Sequence, residues 1–160
     1  MPTPNQVQEA FRSVDEMRLD DFAALFTPDG TMTFGNGEPS VGPDAVKAAL
    51  GAFYQHLDGV RHELRGAWIV DDVSINEAIV HYTMKDGSDV GLPVTSILRW
   101  RGDRVLDWRI YMDAAPAFAA IEASLASPLP VVSLMPRSIQ ERALERYANE
   151  GVSRRRGQEE

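Results

Sequence analysis

Apolar residues recur at helical spacing near the start of the chain. Val7, Ala10, Phe11, Val14 and Met17 share one face, which predicts an amphipathic helix over 5–18 with Asn5 as its N-cap. DDFAALF (20–26) fits a second, short helix. Thr27-Pro28-Asp29-Gly30 carries turn chemistry, TMTF (31–34) reads as a short strand, and the Gly- and Pro-containing stretch 35–42 reads as a loop. Pro43 suits the first turn of a helix whose stripe runs through Ala45, Val46, Ala49, Leu50, Phe53 and Leu57, and which Gly59 ends.

The period then changes. Residues 60–70, 77–85, 92–101 and 104–112 are rich in Val, Ile, Trp, Tyr and Thr and are separated by Asp, Asn or Gly. They predict antiparallel strands, with a tight hairpin at Arg101-Gly102-Asp103-Arg104. Helices followed by successive strands indicate an α+β domain, its helices packed on one face of a sheet. After Met112, DAAPAFAAIEASLA begins as a turn and becomes helical. The three prolines of 127–136 exclude a central strand or helix there, and Ser138 with Glu141 forms a capping-box pattern at the head of a helix over 138–151. These features divide the chain into a domain over 1–120 and an extension over 121–160. The extension reads either as an arm across its own domain or a partner subunit, or as a mobile tail.

Composition narrows the function. With 160 residues, one compact domain is expected. The absence of cysteine removes disulfides, thiolate nucleophiles and the common structural zinc sites. The net charge of −8 arises within the first 115 residues and argues against nucleic acid as a partner; Arg154-Arg155-Arg156 is too short a cluster to reverse this. No apolar run is long enough for a membrane span, and MPTPNQVQEAF lacks the basic flank and apolar core of a secretory signal, so a cytoplasmic location is expected. The three histidines and scattered acids do not have metal-ligand spacing, so neither metal nor cofactor is expected.

Three segments carry a resemblance: Phe26-Thr27-Pro28-Asp29-Gly30-Thr31, Gly42-Pro43-Asp44-Ala45-Val46 and Trp108-Arg109-Ile110-Tyr111-Met112-Asp113. In this order of elements the chain resembles the nuclear transport factor 2-like superfamily over about residues 5–120. Within it the chain is most similar to SnoaL-like polyketide cyclases, ketosteroid isomerases and limonene epoxide hydrolases. The resemblance implies a cone-shaped α+β barrel, a curved sheet wrapped around helices and enclosing a deep apolar pocket. It also implies a homodimer formed through the outer sheet face.

Strand parity sorts the side chains. Val60, His62, Leu64, Gly66 and Trp68 share one face of the first long strand; His81 shares a face with Ile79 and Thr83 on the second. Parity leaves open which face of the last three strands lines the pocket. The resemblance selects the faces carrying His81, Val94 and Ile110. The walls are then expected to include Phe34, Tyr54, Trp68, Val94, Ser96, Trp108, Ile110 and Met112.

The epoxide hydrolase machinery is not matched. Its acid or base on the last strand falls at Ile110, its Arg and Asp near Ile79 and His81, and its Tyr and Asn near Thr33 and Gly35 or Asn36. The ketosteroid isomerase base falls at Phe34 and its acidic donor at Ser96. What remains is imidazole chemistry. An ordinary imidazole exchanges a proton near neutral pH, and a nearby carboxylate fixes its tautomer. His81 and His62 are the candidate bases, Asp113 the candidate carboxylate and Asn36 a candidate donor to a substrate carbonyl. Asp113 equally suits capping of the helix that follows it, and His56 at a helix C-terminus suits a structural role. The expected function is acid/base catalysis, of isomerase, cyclase or dehydratase type, on a small apolar carbonyl compound such as a polyketide or terpenoid. The alternatives are a non-catalytic binding or accessory protein of the same fold, and an epoxide hydrolase with a rewired site.

Overall fold

The computed structural model describes residues 1–126; the proline-rich segment 127–136 and the helix expected over 138–151 lie outside the described residues. The contacts divide the chain into Met1–Ser124 and Leu125–Glu160, and the sheet and cavity belong to the first of these.

Helix α1 (Pro4–Asp15) starts at Thr3 rather than Asn5. The Thr3 hydroxyl accepts the Gln6 N–H while the Gln6 side chain accepts the Thr3 N–H, and Pro4 occupies the first helical position, where its missing donor costs nothing. Helix α2 (Leu19–Ala24) leads into strand β1 (Phe26–Phe34). The Thr27–Gly30 segment expected as a turn is a bulge within β1. Pairing with the parallel strand β6 (Arg104–Tyr111) jumps from Phe26–Val105 to Thr31–Asp107. Gly30 allows the close approach, since a Cβ there would sit 2.9 Å from the Val105 carbonyl oxygen.

Strand β2 (Ser40–Val41) and helix α3 (Pro43–Tyr54) follow. The helix expected to reach Gly59 ends at Tyr54, because Leu57 pairs opposite Met84 and is buried in the sheet. Strands β3 (Leu57–Val70) and β4 (Val73–Met84) are joined by the turn Asp71-Asp72, with Asp71 at φ 52°, so β4 starts earlier than its sequence pattern suggests. Strand β5 (Asp89–Arg101), β6 and helix α4 (Ala115–Ala126) complete the described residues.

The sheet has six strands in the order β2-β1-β6-β5-β4-β3. Its concave face packs on the helices, as expected of an α+β cone. Phe11 of α1 and Phe22 of α2 meet Trp108 of β6, each with ring centroids 5.3 Å apart, and Phe26 closes the cluster. This aromatic plug fills one part of the cone; beyond it the interior is hollow. No helix among the described residues is long and apolar enough to cross a membrane.

Candidate active site

The hollow is a cavity of about 460 Å³ between the concave face and helices α1 and α3. Phe34, Val94, Ser96, Trp108 and Ile110 line it, as the sequence leads one to expect, and Phe53 and Tyr54 of α3 supply the facing wall. Gly37, Glu38 and Phe118, all exposed, border it where it opens to solvent.

One imidazole reaches this cavity wall from the sheet. His62 is directly opposite Val80 on β4, on the concave face. Its side chain is only 11% exposed, and its Nδ1 lies 2.6 Å from Asp15 Oδ1. The main-chain N–H of His62 also points to Asp15, 3.1 Å from each carboxylate oxygen. β3 is the sheet's edge strand, so this N–H has no strand partner and the carboxylate takes its place. A carboxylate only accepts, so the hydrogen of the 2.6 Å contact belongs to Nδ1 and Nε2 is left as the basic nitrogen. Phe11 lies edge-on to the ring at 5.1 Å and holds its plane.

Two phenols stand near this pair. Tyr54 donates to the Val14 carbonyl oxygen at 2.9 Å, and Tyr82 of β4 has the Met112 sulfur as its partner at 3.9 Å. Burial pushes both phenols above the ordinary tyrosine range, with the Asp15 charge and Tyr82 adding to the effect at Tyr54. Both are therefore protonated across the neutral range. The Tyr82 hydroxyl thus has only a weak acceptor, a thioether, as its protein partner.

The other expected site residues are placed elsewhere. His81 pairs opposite Arg61, one residue out of phase with His62, so it projects from the convex face. There its Nδ1 lies 3.2 Å from Asp89 and its Nε2 3.8 Å from Glu63, with the ring packed over Gly91. The faces carrying Val94 and Ile110 were assigned correctly; on β4 the inward face is that of Val80 and Tyr82. Trp68 is 53% exposed. A bulge between Leu64 and Gly66 inserts a residue in β3 and reverses its parity, turning Trp68 outward over Gly66. Asp113 is exposed and accepts the Ala115 N–H at 3.0 Å, the capping geometry at the head of α4. Asn36 sits exposed in the turn after β1. Met112 accepts from the Tyr82 hydroxyl through its sulfur and does not border the cavity.

Asp15 escapes the sequence reading, although a signal exists. Val7, Phe11 and Asp15 are spaced four residues apart, so the acid continues the buried stripe of α1. Its neighbours Glu16, Asp20 and Asp21 make it look like one member of a solvated acidic run. Among the described residues no three His, Asp or Glu side chains converge in a metal-binding arrangement.

Comparisons with known proteins agree with this architecture. A hypothetical protein with a ketosteroid isomerase-like fold from Catenulispora acidiphila, solved in complex with trimethylamine, is 20% identical with TM-score 0.64, over 68% of this chain and 85% of that one. A candidate SnoaL-like polyketide cyclase from Jannaschia sp. is 15% identical with TM-score 0.65, over 78% and 92%. An epoxide hydrolase from M. tuberculosis, similar to limonene epoxide hydrolase, is 14% identical with TM-score 0.63, over 82% and 95%. Identities this low show a shared fold alone. No curated protein sequence matches this one. The SnoaL-like domain model matches residues 7–108, the span that builds the sheet and most of the cavity, and the chain belongs to the SnoaL-like domain family.

Proposed function

We propose that this protein is an acid/base enzyme of isomerase, cyclase or dehydratase type, acting on a small apolar carbonyl compound held in the cavity. The observation that carries the reading is the His62–Asp15 pair, whose imidazole stands in the wall of a mostly apolar hollow. Nε2 of His62 removes a proton from the carbon beside the carbonyl. Asp15 stabilises the imidazolium that results, and the Tyr82 hydroxyl hydrogen-bonds the enolate oxygen. The enolate then takes the proton back at another carbon, attacks a second carbonyl to close a ring, the new alkoxide taking the proton from His62, or expels a β-hydroxyl that leaves as water with the proton His62 returns. Apolar walls keep water from quenching the enolate and bury the rest of the substrate.

Deuterium incorporation beside the carbonyl of 2-tetralone, followed by NMR in heavy water, tests the first step without the natural substrate. Wild type accelerates exchange, and His62→Gln loses about 10²–10⁴ of that acceleration. His81→Ala, on the convex face, leaves the rate within about threefold of wild type. An unchanged rate in His62→Gln, or equal losses in both variants, overturns the reading.

Epoxide opening fits less well, because no Asp and no Arg borders the cavity to hold and activate a water. A binding protein of the same fold would retain the cavity and show no exchange. We further propose a homodimer through the convex face. Trp68 and Tyr111, each about half exposed, support it by offering apolar surface on that side.

A further inference from the structure

The cavity is built without positive charge. Among the described residues, no Lys or Arg borders it, and its sole carboxylate side chain is Glu38, which forms no ion pair with them. Helices α1 and α3 both end at its wall: Val14 is the penultimate residue of α1, and Phe53 and Tyr54 close α3. A helix C-terminus carries partial negative charge; α1 has Arg12 in its last turn, paired with Glu9, whereas α3 has no basic residue there to offset it. The imidazole of His62 adds no net positive charge, because Asp15 at 2.6 Å already balances its protonated form. His56, the second imidazole, follows the C-terminal end of α3.

We propose that the site is a charge filter: it admits apolar ligands that are neutral or cationic and turns away carboxylates, with Glu38 as the specificity-determining residue at the entrance. An anion entering here gives up its hydration and finds the C-terminus of α3, the Glu38 carboxylate at the border and the Asp15 carboxylate behind His62, with no guanidinium or ammonium in the wall to replace the lost water. A cation meets the same groups with favourable sign and an aromatic wall of Phe34, Phe53, Tyr54 and Tyr82. The inference takes the cavity to be the ligand site, as in the reading above, and does not need His62 to act as a base.

Three bicyclic probes of one shape and different charge decide it: 2-acetylnaphthalene, 2-naphthoate and 2-naphthylmethylammonium. Binding is measured by titration calorimetry and ligand-detected NMR at pH 8.5, where an ordinary imidazole is uncharged. The neutral and cationic probes bind with Kd values within about tenfold of each other, and 2-naphthoate binds at least about 30-fold more weakly. Glu38→Lys brings the naphthoate gap down about fivefold or more at low salt, and added salt erases that gain. The ordering persists in His62→Gln, so the filter and the catalytic reading fail separately. Naphthoate binding within threefold of the ketone overturns the filter, as does failure of all three probes to bind. An unchanged gap in Glu38→Lys overturns the assignment to that residue.

Discussion

Asp15 holds His62 at two points: one carboxylate oxygen takes the ring Nδ1–H at 2.6 Å, and both oxygens face the main-chain N–H at 3.1 Å. A single side chain at the end of α1 therefore sets the tautomer and orientation of the imidazole and covers an open donor on the edge strand. Asp15→Asn retains the size and removes the charge. Exchange of 2-tetralone is expected to fall about 10–10³-fold, and the double variant with His62→Gln to be no slower than His62→Gln alone. Additive losses would show that the two residues act independently.

Tyr82 separates catalysis from stability. Its hydroxyl has the Met112 sulfur at 3.9 Å as its partner, so Tyr82→Phe should lower stability by less than about 1 kcal/mol in urea unfolding. If the hydroxyl supports the enolate, the same variant loses about 10–100-fold in exchange rate with little change in KM. A large stability loss together with an unchanged rate would reverse these roles.

The buried phenols predict alkaline behaviour. Burial raises the pKa of Tyr54 and Tyr82 in the folded state above the unfolded value of about 10. Above about pH 10 the unfolded chain releases these protons before the folded one, so it binds fewer protons and stability falls as pH rises. Below that pH the contribution is complete. In an absorbance titration, Tyr54 and Tyr82 should ionise together with unfolding, and Tyr82→Phe should remove part of that coupled signal.

Gly30 tests the β1 bulge. A Cβ there meets the carbonyl oxygens of Val105 and Thr27 at 2.9 and 3.0 Å, and neither is the movable end of a side chain. Gly30→Ala is expected to destabilise by about 1–3 kcal/mol, read as a lower Tm. An unchanged Tm would mean that the strand pair yields without strain.

Trp68 tests the proposed homodimer. Trp68→Glu places a charge on the convex face without touching the cavity. Light scattering should report the mass of two chains for wild type and one for the variant, with exchange activity retained at high protein concentration. A single-chain mass for wild type would end that proposal.

Much of the fold was legible in local pattern. The stripe Val7–Val14, the run of β-branched and aromatic residues from Val60 onward and the spacing of polar breaks specify helices, strands and an α+β arrangement. These signals arise from interactions within a few residues of chain. Alternation along a strand is local too, and it grouped Trp108 with Ile110 and Val94 with Ser96, but the choice of their face as the cavity wall came from the family resemblance.

What the tertiary structure decided is which alternation faces inward. His62 and His81 lie on neighbouring strands with similar surroundings, and only the register that pairs Arg61 with His81 separates them by face. The bulge at Leu64–Gly66 reversed Trp68 for the same reason: one extra residue, invisible in composition, exchanges the faces of everything after it. Asp15 became a partner of His62 only when α1 crossed the edge of β3, 47 residues away in sequence. The sequence by itself determined the elements and the supply of chemistry. Register, bulge and helix crossing, each set by long-range packing, determined which of those groups meet.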